Sequence, residues 1–150
     1  MDIFVRICVA SEVEAIASRE PVGKNFATDM FAAQEIGVCR FLVAWAGEEP
    51  VGSAELTTED VPELKNLNVR QEFRGHGIGT QIIAAAEELI GKPGALSIGV
   101  AADNRRAGEL YERLGYHRTG QFSTTTYDYI DDKGAALTAT ETDEMLTKRW

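Results

Sequence analysis

The order of apolar and polar positions along the chain predicts a mixed α/β fold. Residues 3–9 read as a strand. Ser11 stands where an N-cap would, with Glu14 three residues on, a capping-box spacing that predicts a helix over about 11–19, stopped near Pro21. A second helix is expected over 25–36, ended by Gly37. Phe41, Val43 and Trp45 then alternate with the residues between them. Gly47-Glu48-Glu49-Pro50 makes a turn, and Val51–Thr57 returns as the second arm of a hairpin. Pro62 opens a further strand that runs to about Arg70.

From Gly77 the period changes. Ile78, Ile82, Ala85 or Ala86, and Leu89 fall on one face of a helix, which Gly91-Lys92-Pro93-Gly94 stops. Leu96–Ala101 is a short apolar strand. Asp103 or Asn104 caps another helix, in which Ala107, Leu110, Tyr111 and Leu114 share a side before Gly115. Strands follow from Tyr116, with a polar excursion at Asp131-Asp132-Lys133-Gly134 and a last strand near Met145–Trp150. The expected architecture is a largely antiparallel central sheet flanked by helices, in one domain over residues 1–150. The unit in its middle, strand, Gly-rich turn, helix, strand, requires a crossover.

Composition narrows the function classes. With 44% hydrophobic and 26% charged residues the chain has an ordinary globular balance. No apolar run approaches the ~20 residues of a membrane span. The N-terminus lacks the layout of a signal peptide, so a cytoplasmic location is expected. A net charge of -9 and a pI near 4.7 leave no basic stripe for nucleic acid. Cys8 and Cys39 sit far apart with no Cys/His cluster, which argues for buried reduced thiols and against a metal site.

The chemistry concentrates between residues 67 and 116. Arg74-Gly75-His76-Gly77-Ile78-Gly79-Thr80 joins a strand to a helix. Glycines let backbone amides approach an anion, and a helix start adds unpaired N–H groups and partial positive charge, which together make a pyrophosphate seat. A dinucleotide GxGxxG from Gly75 would need glycine where Thr80 stands, and a Walker loop fails because Pro93 follows Gly91-Lys92. The spacing Arg74, Gly77, Gly79 resembles the signature of the GNAT family of N-acetyltransferases. The later run Asn104, Ala107, Leu110-Tyr111, Leu114-Gly115-Tyr116 resembles a second pattern of that family.

That resemblance implies acetyl-CoA as cosubstrate, held by Leu67, Asn68 and Val69 along the pantetheine arm, by Arg74 to Thr80 around the pyrophosphate, and by Asn104 and Tyr111. It implies direct attack by a primary amine in a ternary complex, with no metal. A backbone N–H near Leu67 would meet the thioester carbonyl, and Tyr111 would protonate the leaving thiolate. Glu63 resembles the family's glutamate base, with Glu55 or a water chain as rivals. His76 is expected to face solvent or phosphate, and His117 to lie on a surface strand. The acceptor is expected to be a small-molecule amine. Asp128, Asp131, Asp132, Glu141, Asp143 and Glu144, against Lys133 alone, suggest a cationic one. A protein N-terminus or lysine is an alternative acceptor, a silent acyl-CoA-binding regulatory module is the alternative to an enzyme, and a homodimer is compatible with either.

Overall fold

The computed structural model describes residues 1–20 and 25–150, so the expected helix stop at Pro21 lies outside the described residues. Its contacts divide into two compact units, Met1–Leu96 with Trp150, and Ser97–Arg149. The fold is mixed α/β with largely antiparallel strands, as the pattern predicted.

In the first unit, β1 (Ile3–Ile7), β2 (Cys39–Ala46), β3 (Glu49–Thr57) and β4 (Glu63–Val69) form an antiparallel meander in that order. The β2–β3 hairpin is tighter than expected, because Glu49 and Pro50 already pair with Ala46 and Trp45 across a turn at Gly47, where φ is +62°. On one face, Phe41, Val43 and Trp45 pack with Cys8 and Ala27 against side chains of α1 (Val13–Ala17) and α2 (Phe26–Glu35). The opposite face is covered by α3 (Ile78–Ile90), which buries Ile78, Ile82, Ile83 and Ala86. Gly52 permits this approach, since a β-carbon there would stand 3.2 Å from Ile82 Cδ1. β2 is therefore covered on both sides. Leu42 and Ala44 are as fully buried as Phe41 and Val43, although the alternation pointed to one apolar face only. Each large side chain so buried contributes about 1.5–3 kcal/mol.

The first helix differs from its expected cap. A 3₁₀ turn (Ala10–Glu12) precedes the short α1. The carboxylate that reaches back belongs to Glu12, whose Oε1 accepts the Val9 N–H at 3.1 Å, and Ser11 makes no cap. Arg6 donates to the same carboxylate. Gly37 and Gly91 close α2 and α3 at φ +81° and +80° as expected.

The second unit contains β5 (Ala95–Ala101) from Ser97 onward, α4 (Arg105–Arg113), β6 (His117–Ile130) and β7 (Ala136–Arg149). Its strands are ordered β5-β7-β6. Ile98, Val100, Tyr111, Tyr116 and Leu146 are its buried apolar residues. Arg118 joins Glu112 of α4 to Glu144 of β7, and Gly108 leaves room for its guanidinium. β6 and β7 are far longer than expected, fourteen residues each, and most of their positions are exposed.

Candidate active site

The site's first component is a defect in β4. Leu56 pairs with Leu64 and Glu55 with Lys65, but Ser53 then pairs with Asn68, so β4 spends one more residue than β3 over this stretch. That is a β-bulge, which places a residue outside the ladder and frees its backbone groups. Asn66 sits in the bulge at φ +55°, the non-glycine residue of positive φ among the described residues. Asparagine tolerates this region better than most side chains. Its amide Nδ2 also donates to Glu55 Oε2 at 3.1 Å, and Glu55 is only 8% exposed.

A cavity of about 490 Å³ opens beside the bulge on the face carrying α1 and α2. Asn66, Leu67 and Asn68 of β4 line it, with Ser53 of β3 and Val43 of β2. Ile16 and Phe26 form its apolar helical wall. Arg19 and Arg70, also in the lining, both donate to Glu49 and hold its carboxyl below the usual carboxylate range, Arg19 most strongly. Glu20 accepts the N–H groups of Phe26 and Ala27 at 2.8 Å each and so caps α2.

Strand parity puts Glu55, Thr57, Glu63 and Lys65 on that same face. Glu63 is partly exposed, and its N–H donates to Thr57 Oγ1 at 2.9 Å.

The second component follows directly from β4. Val69 ends the strand, and its carbonyl accepts from Arg74 Nε at 2.9 Å, which folds the next turn back on the strand end. His76 Nδ1 lies 3.1 Å from the Phe73 carbonyl and 3.0 Å from that of Arg74, so this ring braces the turn. Gly75 and Gly77 take φ of +79° and +76°, a conformation that excludes most side chains, and Gly77 is the N-cap of α3. β-carbons built on Gly75, Gly77 and Gly79 meet nothing within 4 Å. The missing side chains therefore leave open space in front of the first amides of α3, Ile78, Gly79 and Thr80, which lack intrahelical acceptors. Unpaired amides and the positive end of a helix dipole are chemistry that suits an anion.

In the second unit, Asn104 Oδ1 accepts the Ala107 N–H at 3.2 Å and caps α4. Seven positions on, Tyr111 is 8% exposed, and burial raises its phenol above the ordinary value. His117 is exposed at the start of β6. Cys8 and Cys39 are free and buried. Among the described residues, no three of His, Cys, Asp and Glu gather as a metal-binding group, and no helix is long and apolar enough to cross a membrane.

Comparison with known proteins bears on this arrangement. The sequence model described as the acetyltransferase (GNAT) family matches residues 11–116. An N-acetyltransferase of Methanocaldococcus jannaschii, itself uncharacterised, is 33% identical over 86 residues, which are 51% of this chain and 38% of that protein. Among solved structures, the PaiA N-acetyltransferase of Thermoplasma acidophilum in complex with coenzyme A superposes with a TM-score of 0.69 at 17% identity, over 100% of both chains. The ribosomal-protein-S18-alanine N-acetyltransferase of Escherichia coli gives 0.70 at 16% identity, over 99% of this chain and 94% of that one.

Proposed function

Because the chain belongs to the GNAT acetyltransferase family, we propose that it transfers an acetyl group from acetyl-CoA to a primary amine, by direct attack in a ternary complex. The observation that carries this reading is the continuity of the bulged β4 with the open glycine turn at the start of α3. One strand thus offers unpaired backbone beside a cavity and then feeds an anion seat.

In this proposal acetyl-CoA supplies an activated acyl thioester when bound. The amides of Gly75 to Thr80, with Arg74, hold the pyrophosphate. Leu67, Asn68 and Val69 offer backbone hydrogen bonds to the pantetheine arm. A backbone N–H at Leu67 donates to the carbonyl oxygen as negative charge grows there, an electrostatic contribution typical of acyl transfer. Tyr111 is kept protonated by its burial and donates its proton to the departing sulfur. Asn104 holds the N-terminus of α4 and contributes to the cosubstrate site.

The amine must be neutral to attack. Glu63, partly exposed and able to exchange protons with water, is the proposed base. Glu55 is its rival, and its bond to Asn66 also gives it a role in holding the bulge. The acceptor is proposed to be a small-molecule amine entering from the cavity on the α1–α2 face. Its cationic character rests on the acidic composition of residues 127–144. A cytoplasmic setting belongs to the same proposal and accords with two free thiols.

The test of the base uses acetylation rates from pH 6.5 to 9.5. Glu63→Gln should slow turnover at neutral pH and lose less at high pH, where the amine deprotonates unaided. If Glu55→Gln shows that profile and Glu63→Gln does not, the roles are exchanged. If acetyl-CoA neither binds nor stabilises the fold, the whole reading fails. At one hundred times its Kd the stabilisation should be about 2.7 kcal/mol.

A further inference from the structure

The second unit ends in a long strand whose outer edge has no partner among the described residues. β6 pairs with β7 along one side and closes the order β5-β7-β6. Such an edge presents a row of unpaired N–H and C=O groups, and monomeric proteins blunt it with lysine, proline or a bulge. From Phe122 to Ile130 the sequence Phe-Ser-Thr-Thr-Thr-Tyr-Asp-Tyr-Ile contains neither lysine nor proline, and its pairing with β7 runs without a register shift. Phe122 and Ile130 are 64% and 62% exposed. The chain carries a net charge of -9, yet Asp128 is the one charged residue of this stretch.

The direction of the free groups follows from the hairpin. Asp131 N–H donates to the Ala135 carbonyl at 3.0 Å. Hydrogen bonding alternates along an antiparallel pair, so the odd-numbered residues of β6 bond to β7. The N–H and C=O groups of Phe122, Thr124, Thr126, Asp128 and Ile130 therefore face outward. Their side chains share one face, as the Thr124–Thr142 and Thr126–Thr140 hydroxyl contacts of 3.1 Å confirm.

We propose that this edge is a homodimer interface, in which β6 pairs antiparallel with β6 of a second copy about a two-fold axis at Thr126. A self-complementary strand is what an isologous contact requires. In this register Thr126 meets Thr126, Thr124 meets Asp128, and Phe122 meets Ile130 twice, all through outward-facing groups. About ten backbone hydrogen bonds form. Phe122 and Ile130, the two most exposed apolar side chains of the edge, cover each other as cross-strand neighbours. The two Asp128 carboxylates stand four residues apart along the strands, roughly 13 Å. Shifting the register by two residues places Phe122 opposite Asp128, or Asp128 opposite Thr126 with Ile130 opposite Thr124, and loses the apolar pair.

The experiment is sedimentation velocity and oxidative cross-linking of the full chain. Wild-type protein at 50 μM should sediment as a dimer. Thr126→Pro removes one outward N–H without touching the β7 ladder, and it should be a folded monomer by circular dichroism. Thr126→Cys should form a disulfide-linked dimer on mild oxidation, because residues facing each other across a hydrogen-bonded pair lie about 5.5 Å apart at Cα. Thr124→Cys should not, since its copy lies four residues away. A monomeric wild type overturns the proposal, and so does a dimer that survives Thr126→Pro. Linkage through Thr124→Cys instead of Thr126→Cys also overturns it. A wild-type monomer that pairs only with a strand from a different protein overturns the second copy as occupant.

Discussion

Gly79 separates what the anion seat does for the ligand from what it does for the fold. It lies in the first turn of α3, outside the positive-φ set, and a β-carbon there meets nothing within 4 Å. Substitution is therefore free of both backbone strain and clash, unlike at Gly77 with its φ of +76°. Glycine is only about 0.3 kcal/mol worse than aspartate in a helix. A carboxylate in the first turn gains a further 0.3–1 kcal/mol or so from the helix dipole. Gly79→Asp should thus raise the stability of the ligand-free protein, with a gain of about 1–5 °C in Tm. The same carboxylate would stand about 5 Å from a seated phosphate. At an effective dielectric of about 20–40 the repulsion is roughly 2–3 kcal/mol, or about thirty- to 150-fold weaker CoA binding. Calorimetric titration with CoA and a thermal scan of the same sample read both effects, and Gly79→Ala isolates the steric part. Wild-type affinity in a stabilised Gly79→Asp protein would show that the pyrophosphate sits elsewhere. A fall in Tm would show that Gly79 serves the fold.

Three further outcomes are expected. Asn66→Ala loses the bond to Glu55 and puts an ordinary side chain at φ +55°, costing about 2–4 kcal/mol in chemical denaturation; Asn66→Gly should lose less, and equal losses would remove the backbone argument. Tyr111→Phe should lower kcat by roughly ten- to ten-thousand-fold with CoA affinity retained; an unchanged rate with chemistry limiting would leave Tyr111 as a packing residue. Burial, reinforced by nearby Glu12 and Glu55 respectively, raises the Cys8 and Cys39 thiols from 9.0 to about 11. The folded state therefore holds these protons more tightly than the unfolded one, so the stability they contribute is complete below pH 9 and is lost as pH rises through 11. Denaturation midpoints between pH 8 and 11 should show this fall, and a Cys8→Ala/Cys39→Ala variant should flatten it.

Most of the candidate site was legible because its parts are local. Gly75 and Gly77 mark a turn that few other residues can form, Gly79 follows two residues on, and Asn104 with Tyr111 keeps helical spacing. The bulge is legible too. Leu64 is apolar on one parity of β4, whereas Leu67 and Val69 are apolar on the other, a one-residue slip that a bulge explains. The cavity's arginines were not legible. Arg19 follows α1 and Arg70 follows β4, and only tertiary folding brings both to Glu49. The length of β6 and β7 escaped for a different reason. Both faces of Phe122–Ile130 are largely exposed, so no apolar alternation marks the strand, and only its run of threonine and tyrosine speaks for extended structure. Spacing alone does not locate the cap of the first helix, because Ser11/Glu14 and Val9/Glu12 share one spacing, and Arg6 sits next to Glu12 only in the folded chain.

The proposed activity is amine-dependent transfer of an acetyl group from acetyl-CoA. The most direct measurement mixes the protein with acetyl-CoA and a panel of neutral, anionic and polycationic amines, following free-thiol release and acetylated amine by mass spectrometry. The proposed function predicts thiol and acetylated amine in equal amounts, dependent on the amine and strongly reduced in Tyr111→Phe. Tight acetyl-CoA binding with no amine-dependent thiol release from any acceptor would contradict it and identify a silent acyl-CoA-binding module.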